Sequence, residues 1–148
     1  MLRLKQDFSN VVLMSLKDRT TNSYSGVVNW SYLFNFTNDM TKESFTTIVS
    51  IANDAATYND SNDILIKLKD KQTGAIDSTN GEIKLYPKGY WSYEVYEQNS
   101  LTNLDINDAV VIDKIEVGKA FIYDGIDEVT YTQHTDTTNT TNYLYIKD

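Results

Sequence analysis

Apolar side chains recur in this chain at every second residue, in short runs closed by turn-forming residues, and that spacing decides what it can fold into. In residues 64–69, one parity collects Ile64, Ile66 and Leu68 while the other ends in Lys67 and Lys69. This is the pattern of a strand with one buried face. Across residues 90–97, Trp91, Tyr93 and Val95 alternate with Ser92 and Glu94, and Ile83 with Leu85 repeats the spacing. Residues 30–37 and 45–52 are bulky on both parities and predict strands buried on both faces or at an interface. Residues 11–16, 110–112 and 120–123 extend the series, with 129–132 and 143–146 as its weaker members. Eight to ten short strands are predicted.

Turn chemistry punctuates these runs at Asn38-Asp39, residues 59–63, 71–74, Asn80-Gly81, 87–89, 99–103, Asp113-Lys114 and Asp124-Gly125. Asn80-Gly81 predicts a type I′ hairpin turn, because both residues tolerate positive φ. Strands at this spacing predict an all-β fold, an Ig-like antiparallel β-sandwich. Composition agrees, since 17 Thr, 14 Asn and 11 Ser among 148 residues favour turns and strands over helix. Eleven Tyr and five Phe give a chain of this size the bulk for a core. One domain is expected over residues 1–123. Residues 124–148 differ in kind: five acids against Lys147 alone give a net charge of −4. Within them, a Thr- and Asn-rich stretch ends in Tyr143, Leu144, Tyr145 and Ile146. That pattern fits a long loop returning a last strand, or an arm adding a strand to a neighbouring chain.

Several function classes are excluded or disfavoured by the residues available. The absence of Cys removes disulfides, thiolate nucleophiles and thiolate metal sites. A net charge of −8, with 13 scattered basic residues, argues against nucleic acid as a partner. The apolar run over residues 11–14 is too short for an export signal or a membrane span, so a chain made without export by that route is expected. No Gly-rich phosphate loop occurs, and the sole histidine, His134, lies in the polar C-terminal stretch, where no rigid triad is expected. The clusters at residues 60–63 and 105–108 offer oxygen ligands for a hard cation, but local turn capping accounts for both. Four Asn-x-Ser/Thr sequences, at Asn29, Asn35, Asn59 and Asn139, match the number that composition alone produces. No catalytic, cofactor or metal residue is assigned, and a non-enzymatic role is expected.

Aromatic residues are the remaining signal. Tyr86, Tyr90, Trp91, Tyr93 and Tyr96 fall within eleven residues. Trp91 and Tyr93 belong to the core parity, which leaves Tyr90 and Tyr96 on the opposite face. These two, with Tyr143, Leu144, Tyr145 and Ile146, are the candidate partner-binding residues. Exposed tyrosines also suit a carbohydrate-binding module of a fibre or surface protein, the alternative reading.

The stretch from Leu85 to Gln98 resembles the corner and following strand of Greek-key sandwiches, with Trp91 where Tyr would stand. The wider chain is similar to small virion proteins of tailed bacteriophages, including crAss-like phages and related marine podoviruses. The matching pieces are Tyr32-Leu33-Phe34-Asn35-Phe36-Thr37-Asn38, Gly81-Glu82-Ile83-Lys84-Leu85, residues 87–98, Ser100-Leu101-Thr102-Asn103-Leu104-Asp105, and Val117-Gly118-Lys119-Ala120. The resemblance spans about residues 28–123. It implies an auxiliary or decoration protein that binds and stabilises the major capsid protein shell, or a component near the head-tail junction. Virion localisation after assembly in the host cytoplasm would follow, with other virion subunits as partners and self-association through the C-terminal arm.

Overall fold

The computed structural model describes residues 1–16, 19, 29–50, 55–58 and 63–125. The described residues form nine strands, β1 (Leu2–Lys5), β2 (Ser9–Met14), β3 (Ser31–Asn38), β4 (Ser44–Val49), β5 (Ala56–Tyr58), β6 (Ile64–Asp70), β7 (Glu82–Ile83), β8 (Gly89–Gln98) and β9 (Val111–Tyr123). They form two sheets, the larger ordered β1-β9-β8-β3-β4 and the smaller β2-β6-β5, with β7 also paired to β6. Most pairs are antiparallel. The exceptions are β1 with β9 and β7 with β6, which run parallel. The chain is all-β, two sheets packed face to face.

Alternation places the core between the sheets. From β6 come Ile64, Ile66 and Leu68; from β8, Trp91, Tyr93 and Val95; from β3, Tyr32, Phe34 and Phe36. Lys67 and Lys69 stay on the outer face, and Leu65, on the same parity, is half-buried. A second, smaller cluster lies on the other side of the large sheet, where Leu33, Ile48 and Tyr96 pack against Ile106 and Val111. Residues 99–110 fold over that side. Ser31 Oγ donates to the Ser100 carbonyl at 2.5 Å, Gln98 Nε2 to that of Asn103 at 3.1 Å, and Thr46 Oγ1 to that of Leu104 at 3.0 Å. Strand β3 is thus buried on both faces, as its bulky parities predict.

The structure corrects four expectations. The first strand is β1, which the alternation does not reveal, and β2 begins at Ser9, two residues earlier than expected. Asn80-Gly81 is not a type I′ hairpin: only Gly81 has positive φ (74°), and β6 and β7 on either side of it run parallel. A Cβ at Gly81 would lie 2.9 Å from the Lys67 carbonyl, so glycine is required by close backbone approach. Asp113-Lys114 is no turn but part of β9, which runs unbroken for 13 residues. The polar residues there sit beside two register shifts against β8, at Val95/Tyr96 and Glu97/Gln98. Irregular pairing satisfies turn-prone residues without ending the strand. The fourth correction concerns Tyr96 and is taken up with the site. The expected strands over 129–132 and 143–146 lie outside the described residues, as do His134 and Asn139.

Candidate functional site

The corner before β8 is built from its sequence. Trp91 is fully buried, and its indole N–H donates to the Pro87 carbonyl at 3.0 Å. The bond that a tyrosine hydroxyl would make in such a corner is made here by the indole nitrogen. Gly89 takes φ 124°, a conformation that suits only glycine, and Tyr90 emerges next on the outer face of the large sheet.

Tyr90 is 60% exposed. Its β9 partner is Phe121, whose β1 partner is Arg3, so one row crosses three strands. The Tyr90 and Phe121 ring centroids lie 5.0 Å apart at 54°, and Arg3 sits over the Tyr123 ring at 5.4 Å from its centroid. The result is an aromatic ledge carried on paired strands. Lys88 joins Asp124 at 2.7 Å near one end. At the other, Lys119 donates to Asp39 Oδ2 at 2.8 Å and Ser92 to Oδ1 at 2.6 Å. Hydrogen bonds from Lys119 and then Ser92 hold the Asp39 carboxyl below its ordinary pKa.

Further along the same face, Glu94 accepts from Lys114 at 2.7 Å, from the Tyr96 hydroxyl at 2.8 Å and from Asn35 at 3.4 Å. The Lys114 bond, followed by that of Tyr96, lowers the Glu94 pKa, while burial and then Glu94 raise that of Tyr96. A carboxylate held ionised in this way has no proton to donate near neutrality, and a tyrosine held protonated is a poor base. This network fixes side chains rather than activating one.

The sequence-derived candidates therefore separate. Tyr90 is exposed as expected. Tyr96 is not a contact residue: it is 9% exposed, packed under residues 99–110 with Leu33 and Ile48. Parity places it on the outer face correctly, but the following loop covers that end of the face. Tyr143, Leu144, Tyr145 and Ile146 lie outside the described residues. Phe121, Arg3 and Tyr123 join Tyr90 although the sequence did not single them out. Phe121 and Tyr123 do share one parity in β9, but cross-strand register was needed to bring them beside Tyr90.

Of the two acidic clusters, 105–108 is a turn. Asp105 Oδ1 accepts from the Asn107 N–H at 2.9 Å, and Asp108 Oδ1 from that of Val110 at 3.0 Å. In the other, Asp63 accepts from Ser15 Oγ at 2.7 Å, and residues 60–62 lie outside the described residues. Among the described residues no group of three or more His, Asp or Glu is placed to hold a metal ion. Asn35 is 6% exposed, which removes it as a glycan acceptor in the folded chain. A cleft of about 360 Å³ lies by the edge strand β4, between Phe45, Ile76, Ile83 and Leu104, with Lys84 among its lining. Comparison with protein-family models, curated proteins and solved structures finds no match.

Proposed function

We propose that this chain is a non-enzymatic structural protein of a tailed-phage particle, an Ig-like sandwich that binds the major capsid protein shell through the outer face of its large sheet. The row of exposed Tyr90 and Arg3 with half-buried Phe121 between them carries the reading. Tyr gives large contact area at small entropic cost, Tyr and Arg are enriched at interface hot spots, and here they stand on paired strands rather than on a loop. The strand order supports the Ig-like assignment: β3, β8 and β9 take the positions of strands C, F and G, with β4 at C′, and β2, β6 and β5 those of B, E and D. Four of the five pieces that carry the phage resemblance gather on the large sheet, while Gly81–Leu85 pairs with the small one. Three lie on the adjacent strands β3, β8 and β9, and residues 100–105 fold over the same sheet.

Co-sedimentation with empty capsid shells tests this. Wild type should pellet with shells, and Tyr90→Ala should weaken binding about 30-fold, the loss of about 2 kcal/mol expected at an interface hot spot. Tyr96→Phe, altering a buried hydroxyl, should bind as wild type. Saturable binding on a glycan array, lost in Tyr90→Ala, with no shell binding, would replace this reading with the carbohydrate-binding one.

A further inference from the structure

The small sheet ends in an open edge. Strand β2 pairs with β6 on one side and has no strand partner on the other among the described residues. Asn10 and Met14 point inward and are buried, while Val11 and Leu13 are 61% and 54% exposed. Phe8, just before the strand, is 53% exposed. Their β6 partners on the outer face are Lys67 and Leu65, with Lys69 opposite Ser9. An unpaired backbone edge bearing two exposed aliphatic side chains is a ready template for another strand.

The end of β9 lies close to the start of this edge. The Gln6 N–H donates to the Tyr123 carbonyl at 2.7 Å, and a Cβ at Gly125 would lie 2.5 Å from Lys5 Cε. Lys5 in turn sits over the Phe8 ring at 5.3 Å. One side chain therefore separates the exit point from the start of β2. Twenty-three residues follow Gly125, with a net charge of −3 and a polar stretch up to Asn142. Seventeen residues lie between Gly125 and Tyr143, and a chain of that length can span up to about 55–60 Å. The six residues of β2 span about 20 Å. The apolar end of the tail thus reaches any part of the edge.

We propose that Tyr143, Leu144, Tyr145 and Ile146 of the same chain pair with the free edge of β2 and extend the small sheet by one strand. Alternation suits that position, since Tyr143 with Tyr145 and Leu144 with Ile146 fall on opposite faces. One pair lies beside Val11 and Leu13, and the other falls on the core side, beside half-buried Val12. The charges match too: an acidic tail meets Lys5, Lys67 and Lys69, and Lys67 has no ion-pair partner among the described residues. A short tether holds its end at roughly millimolar effective concentration, so at micromolar protein the chain's own segment outcompetes that of a second copy.

Two measurements on the free full-length protein test this, and neither involves shells, so they stand or fall apart from the capsid reading. Amide hydrogen exchange of residues 9–14 is compared between wild type and a Leu144→Asp, Ile146→Asp variant. Exchange there should be at least tenfold faster in the variant, with β8 unchanged to show that the sandwich is intact. Equal exchange in both would overturn the proposal. Because the chain has no Cys, Val11→Cys can be labelled uniquely with a benzophenone maleimide and irradiated. Capture of residues 143–146 within monomers is expected, with no such capture from labelled Tyr90→Cys. Capture only in covalent dimers, or equally from both positions, would overturn the placement.

Discussion

Asp70, 2% exposed at the end of β6, ties three segments together at one carboxylate. It accepts from the Asp7 N–H at 2.7 Å, the Leu85 N–H at 2.7 Å and Gln72 Nε2 at 2.6 Å. The turn between β1 and β2 and the approach to the β8 corner are both fastened there. Asp70→Ala leaves two backbone donors without their acceptor, and each such loss costs about 1–3 kcal/mol. A destabilisation of about 2–4 kcal/mol is expected by urea unfolding, with Asp70→Asn less affected because it keeps one acceptor oxygen. Glu82 makes a different contribution. The Asp77 backbone N–H, followed by Lys71, holds its carboxyl down at about 2 from an ordinary 4.5. Its folded pKa lies below the unfolded one, so the stabilisation is present above about pH 4.5 and is lost as pH falls towards 2. Urea midpoints taken between pH 5 and 2 should fall more steeply for wild type than for Glu82→Gln.

At the scale of the strands, β8 and β9 fit by a size match: Tyr93 lies over Gly118 directly across the pair. A Cβ at Gly118 would stand 2.6 Å from the Tyr93 ring, and the Tyr93 hydroxyl donates to Glu116 at 3.0 Å. Gly118→Ala should destabilise by about 1–3 kcal/mol through overpacking. The same change in a Tyr93→Leu background should cost much less, a coupling that a double-mutant cycle in thermal unfolding would read. How far such elements can be read from sequence depends on whether their partners are local. Residues 64–69 and 90–97 declare themselves because alternation is a property of one strand. The two-sided burial of β3 is equally legible from bulky residues on both parities. β1 is not, since its four residues are fixed by parallel pairing to β9 more than a hundred positions away. Asn80-Gly81 misleads because the glycine serves close contact with β6, not a hairpin. Tyr96 misleads because parity names a face without naming what covers it.

At the scale of the whole molecule, the large sheet is covered on both sides at one end and open at the other. Residues 99–110 seal the end holding Leu33, Ile48 and Tyr96, while Tyr90 and Arg3 remain exposed beside half-buried Phe121. Of the candidate site, the sequence revealed its most exposed ring but not its neighbours, because register is a long-range property. The parallel pairing of β1 with β9 has a mechanical side. Leu2 lies opposite Ala120 and Lys5 opposite Tyr123, so the incoming chain meets this pair at one end and the outgoing chain leaves it at the other. Tension applied at Met1 and Asp124 pulls the two strands along their axes in opposite senses. Every bond of the pair is loaded at once, whereas an antiparallel hairpin pulled from its open end gives way one bond at a time. Gripped at Met1 and Asp124 in an optical trap, the sandwich should yield in a single abrupt step and at higher force than when gripped across β3 and β4 at Ser31 and Val49. A sandwich so joined resists being drawn apart by force directed along these two strands.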